Sequence, residues 1–120
     1  MRDIDVDVAS DGTVYQLAPC RGVVAEAYGV WQTNAVEPND TIILSRDTTA
    51  VNTITAVDTA GIVKETGVPD ATNKGLVFDP NDTTEINRFI KIVANGTAGA
   101  AKVHIKFDDS AYVEEPASEA

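Results

Sequence analysis

The sequence predicts an all-β fold, an antiparallel β-sandwich or small β-barrel of about eight to nine short strands. Three observations carry the prediction. Apolar and polar residues alternate with period two at both ends of the chain: Ile4, Val6 and Val8 against Asp3, Asp5 and Asp7, then Ala101, Val103, Ile105 and Phe107 against Lys102, His104 and Lys106. Such strands keep one face in a core and the other in water. The load between them is carried by Val, Ile, Thr and Ala, which favours strands. Turn signals punctuate the chain roughly every 8–12 residues, the spacing of a sandwich.

In order, residues 3–9 form the first strand. Ser10-Asp11-Gly12 then separates it from Thr13-Val-Tyr-Gln-Leu-Ala18, and Asp-Gly between two β-rich runs predicts a hairpin. Pro19 ends the second run. Residues 22–32 have an amphipathic-helix alternative on Val23, Ala27 and Val30, but two glycines, three valines and the aromatics favour a long central strand. Glu37-Pro-Asn-Asp40 is a turn, residues 41–45 a short strand, and residues 46–50 a polar loop. Residues 51–57 read as strand, 58–61 as turn, 62–66 as strand and 67–74 as surface loop. Residues 75–79 are another short strand, and Pro80-Asn-Asp-Thr83 turns into a C-terminal hairpin over residues 85–108. Ile86, Ile90 and Ile92 share a face of its first strand, and Gly96 and Gly99 supply the turn.

At 120 residues the chain fits one domain, expected over residues 1–113, with residues 1–9 as an N-terminal arm strand and 114–120 as an acidic tail. Nineteen acids against nine bases leave a charge of −10, which repels nucleic acid and anionic membrane alike, since both are bound by neutralising phosphates. The single cysteine, Cys20, excludes an intrachain disulfide and suits a reducing compartment. No apolar segment follows Met1, so no signal peptide is expected, and no run approaches the roughly 18 apolar residues of a membrane span. The sequons at Asn39, Asn81 and Asn95 read as turn residues.

No enzyme and no cofactor are expected. Asp3, Asp5 and Asp7 line a straight strand, which does not converge oxygens as calcium requires. His104 is the only histidine, between Lys102 and Lys106. A Cys20–His104 nucleophile pair depends on the fold bringing them together, and no orienting or oxyanion motif accompanies it. Tyr28 and Trp31 fall on opposite faces of their strand, so one faces the core and the other is covered or exposed. No phosphate-binding glycine motif is present.

Cys20-Arg-Gly-Val-Val-Ala-Glu-Ala-Tyr-Gly-Val30, then Asp40-Thr-Ile-Ile-Leu44, then Ala101-Lys-Val-His-Ile-Lys-Phe107, follow the order found in small bacteriophage virion proteins. Over roughly residues 18–108 the chain resembles the head decoration, or capsid cement, family. The long loop before Asp40 and the acidic tail fall outside that pattern. The resemblance implies a β domain on the capsid exterior, made in the host cytoplasm, that trimerises and bridges subunits of the major capsid protein. Partner contacts are then expected from the terminal strand (Ile4, Val6, Val8), from Trp31, from the cationic strip Lys102, His104 and Lys106, and from Tyr112, Glu114 and Glu115 near the tail. The strip is a solvated face or else the dock for an acidic neighbour, such as another copy's tail. A tail or baseplate component is the near alternative. A carbohydrate-binding sandwich, stacking sugars on Tyr15, Tyr28, Trp31 and Tyr112, is the more distant one.

Overall fold

The computed structural model describes residues 2–9, 12–31, 40–56, 63–95 and 101–109. Nine strands occur among them: β1 (Arg2–Val8), β2 (Thr13–Leu17), β3 (Val23–Trp31), β4 (Thr41–Arg46), β5 (Thr49–Thr55), β6 (Val63–Thr66), β7 (Val68–Pro69), β8 (Phe89–Asn95) and β9 (Ala101–Asp108). They form a four-stranded sheet in the order β1-β9-β3-β6 and a five-stranded sheet in the order β2-β8-β4-β5-β7. Every ladder is antiparallel. The protein is an all-β sandwich.

One apolar core lies between the sheets. The four-stranded sheet sends in Val6, Val8, Val24, Ala27, Trp31, Ala101, Val103, Ile105 and Phe107, and the five-stranded sheet meets them with Ile42, Leu44, Val51, Ile54, Ile90, Ile92 and Ala94. Period-two alternation puts most of these side chains on one face of each strand, and register shifts at Val24/Glu26 and at Leu44/Ser45 interrupt it where Val24 and Val51 join the core. Full burial of each large side chain contributes roughly 1.5–3 kcal/mol.

Neither sequence-predicted hairpin forms. β8 pairs with β2 and β4, whereas β9 pairs with β1 and β3, so the two long runs within residues 85–108 belong to opposite sheets. The cause lies in their apolar faces. Ile90, Ile92 and Ala94 on one side, and Ala101, Val103, Ile105 and Phe107 on the other, are buried against each other across the core. Pairing them edge to edge would place both faces on the same side of one sheet. The same exchange separates β1 from β2. Gly12 N–H does donate to the Ala9 carbonyl at 3.0 Å, but this connection also passes between sheets.

Smaller corrections follow from local hydrogen bonds. Glu85–Arg88 is one 3-10 turn, not strand, and Ile86 is only half-buried. Residues 75–79 supply a single bridge between Gly22 and Phe78, yet Phe78 is fully buried and tilts its ring against Phe107 at 6.3 Å. The expected loop at 46–50 narrows to Asp47 and Thr48, with Asp47 at φ 57°, a left-handed conformation that Asp tolerates better than most residues. The expected loop at 67–74 opens with β7. The turns predicted at 37–40 and 58–61 fall wholly or mostly outside the described residues. The long central strand is confirmed as β3.

The terminal arm is not free of its own chain. β1 is an edge strand paired along its whole length with β9, and Val6 and Val8 are buried in the core.

Candidate functional site

The outer face of the four-stranded sheet carries a charge ladder. Register places Asp3 opposite Lys106, Asp5 opposite His104 and Asp7 opposite Lys102. On the other side of β9, Glu26 stands opposite Lys106, Tyr28 opposite His104 and Val30 opposite Lys102. His104 is the centre of the array. Its Nδ1 donates to Asp5 Oδ1 at 2.5 Å, and its Nε2 lies 3.6 Å from Asp3 Oδ1. The ionised carboxylate only accepts, so Nδ1 holds a proton in this contact. The imidazole stacks on Tyr28 at 4.8 Å between centroids, and Lys64 Nζ sits 4.5 Å from the Tyr28 ring centroid. Lys102 Nζ is 3.6 Å from Asp7 Oδ1.

The cationic strip and the aspartate run are thus two halves of one intrachain arrangement. The acidic neighbour of Lys102, His104 and Lys106 is β1 of the same chain. Because these pairs are largely solvent-facing, each adds little, in the range of about 0–1 kcal/mol, and the buried Val6 and Val8 hold β1 more firmly.

Cys20 and His104 are not brought together. Cys20 Sγ lies 3.7 Å from Asp109 Oδ2, and His104 precedes Asp109 by five residues, roughly 16 Å of extended chain. Burial pushes the Cys20 thiol above its ordinary range, and the Asp109 carboxylate adds to that shift while Arg2 opposes it. The fold therefore disfavours the thiolate a nucleophile requires. Among the described residues, no group of three or more His, Cys, Asp or Glu side chains is placed to hold a metal ion.

Of the residues expected to meet a partner, Val6, Val8 and Trp31 are buried in the core and offer no outer surface. Sequence alternation left Trp31 and Tyr28 undecided; Trp31 packs inward at 3% exposure because β3 points it at the opposite sheet. Ile4 is half-buried against the core. Tyr112, Glu114 and Glu115 lie outside the described residues. The supposed aromatic platform is dispersed: Trp31 is internal, Tyr28 lies under Lys64 on one sheet and Tyr15 belongs to the other.

The broader apolar surface is the outer face of the five-stranded sheet. A cross-strand row runs Thr13–Val93–Ile43–Thr53–Val68 over all five strands. Beside it, Leu17 stands opposite Phe89 and Tyr15 opposite Lys91. Tyr15, Leu17 and Val68 are 52%, 47% and 69% exposed, the large hydrophobic residues most open to solvent among those described. Tyr15 meets the edge of Phe89 at 6.5 Å. This face was not singled out from the sequence, although a signal was present. Phe89-Ile-Lys-Ile-Val93 and Ile42-Ile-Leu44 are apolar on both faces, unlike β1 and β9. A strand apolar on both faces is commonly covered on both.

No family model, no curated protein and no solved structure matches this chain.

Proposed function

We propose that this is a structural virion protein that attaches to the outside of a phage capsid and bridges major capsid protein subunits as an oligomer. The observation that carries the reading is the outer face of the five-stranded sheet, where Tyr15, Leu17 and Val68 are exposed beside half-buried Phe89, Val93 and Ile43. An apolar patch on a rigid sheet is the kind of surface that marks a protein contact. The face is broad and carried by paired strands, which suits attachment to another protein's surface. The resemblance over residues 18–108 supplies the partner class, and the charge of −10 suits an exterior position away from packaged DNA. On a repeating lattice, modest contacts add through avidity, so one weak patch per copy is enough.

The test is co-sedimentation with empty shells assembled from the major capsid protein of the same genome. The wild-type protein should pellet with shells and stay in the supernatant without them. Val68→Glu and Val93→Lys, both on the outer face, should abolish pelleting while leaving the melting temperature within a few degrees. Wild-type protein left in the supernatant, or variants that pellet equally well, would overturn the reading.

A further inference from the structure

The two sheets have four edges, and they are not equivalent. β1 carries three aspartates, β7 contains Pro69 and is two residues long, and β6 is four residues long with Lys64 and Glu65. Charge, proline and shortness are the usual ways in which an edge is kept from pairing with another chain. β2 has none of these. Thr13-Val-Tyr-Gln-Leu17 is five residues without charge or proline at the margin of the five-stranded sheet.

Among the described residues, the hydrogen bonds of β2 show which backbone groups face β8 and which face the margin. Ala18 N–H donates to the Arg88 carbonyl at 2.9 Å, and Ala94 N–H donates to the Gly12 carbonyl at 2.9 Å. In an antiparallel ladder these bonds alternate along the strand. Gly12, Val14, Gln16 and Ala18 therefore turn their N–H and C=O groups toward β8. Thr13, Tyr15 and Leu17 turn theirs to the open side. The Leu17 carbonyl accepts from its neighbour Gln16 Nε2 at 3.0 Å, and it keeps a second lone pair.

We infer that β2 is a self-association edge, pairing antiparallel with β2 of a second copy about a two-fold axis at Tyr15. The three outward residues are symmetric about Tyr15. An antiparallel partner sets Tyr15 against Tyr15 of the second copy, and Thr13 against its Leu17, so every outward N–H and C=O meets its complement. A two-fold contact requires this self-complementarity, and a second copy supplies it without any further chain. β2 itself carries no charged side chain, so the two-fold contact sets no like-charged pair of β2 residues against each other. The product is a ten-stranded sheet across the dimer, with both apolar outer faces on one side. This contact is two-fold, in place of the three-fold assembly that the family resemblance implies, and it does not depend on capsid binding.

The experiment is sedimentation velocity over a 100-fold dilution series (roughly 1–100 μM, where small interfaces respond to concentration), paired with residue-resolved amide exchange. A monomer–dimer equilibrium is expected. As concentration rises, the amides of Thr13, Tyr15 and Leu17 should gain protection at least tenfold, while those of Val14 and Gln16, already bonded to β8, change little. Tyr15→Pro removes an outward N–H, together with the ring that meets Phe89, and should leave the protein monomeric throughout. Tyr15→Lys, which keeps the N–H but sets two cations together at the axis, should weaken the dimer at low salt. Circular dichroism confirms that both variants fold. A protein monomeric at every concentration, a trimer, or a dimer unaffected by both variants would overturn the inference.

Discussion

Replacing Gly67 with alanine should destabilise the fold by about 2–3 kcal/mol, through a clash that one second substitution relieves. Gly67 lies between β6 and β7, where the chain leaves one sheet and joins the other. Its N–H donates to the Ala27 carbonyl at 2.7 Å, which pins the backbone. A Cβ there would overlap Asn52 Oδ1 and stand 3.0 Å from Ile54 Cγ1. Neither neighbour has room to retreat, since Asn52 is 1% and Ile54 0% exposed. Asn52 is itself costly: among the described residues its Nδ2 and Oδ1 find no hydrogen-bond partner, a penalty of about 1–3 kcal/mol for a buried polar group. Asn52→Ala removes that penalty and the obstacle together, so it should be nearly neutral alone and should rescue Gly67→Ala. Thermal and urea melts of the four proteins form a double-mutant cycle. Gly67→Ala should melt about 8–12 °C below wild type, at about 4 °C per kcal/mol for a domain of this size. The double variant should fall within a few degrees of Asn52→Ala. A wild-type melt for Gly67→Ala, or a double variant showing the sum of both losses, would refute the clash.

Ile105→Asp places a charge at a fully buried position in the core and should leave the protein unfolded at 25 °C; a cooperative melt near that of wild type would remove Ile105 from the core. Asp5→Asn removes the carboxylate charge facing His104 and should cost under about 1 kcal/mol, a difference that shrinks in 1 M salt, where screening reaches about 3 Å. Cys20 should react with iodoacetamide at pH 7.5 more slowly than an unfolded peptide of the same sequence, with the difference vanishing in urea, because burial and Asp109 hold the thiol protonated. The fold binds that proton more tightly than the unfolded chain does. The thiol's contribution to stability is therefore complete at neutral pH and is lost as pH rises through its raised value, so urea midpoints should decline at alkaline pH less steeply in Cys20→Ser.

Much of the local structure was legible in the residues themselves. Period-two alternation located β1 and β9 and named Val103, Ile105 and Phe107 as core, because a strand's side chains must point alternately to its two faces whatever lies around them, while valines and aromatics located β3. The all-β class followed from the same alternation and from the β-branched composition. What alternation does not contain is which strand lies beside which. A glycine turn between two alternating runs is compatible with a hairpin and with a passage between sheets, and β8 and β9 took the second course because burying Ile90 and Ile92 against Val103 and Ile105 requires them to face each other. The same choice brought Asp3, Asp5 and Asp7 alongside Lys102, His104 and Lys106, about a hundred residues away in the chain, and so turned two separate charge patterns into one ladder. It also left β2 at a margin with three outward backbone positions. The sequence by itself determined which residues alternate and which face of each strand is apolar. Only the tertiary structure decided the neighbours, because pairing is settled by long-range burial and a free edge exists only once the sheets are assembled.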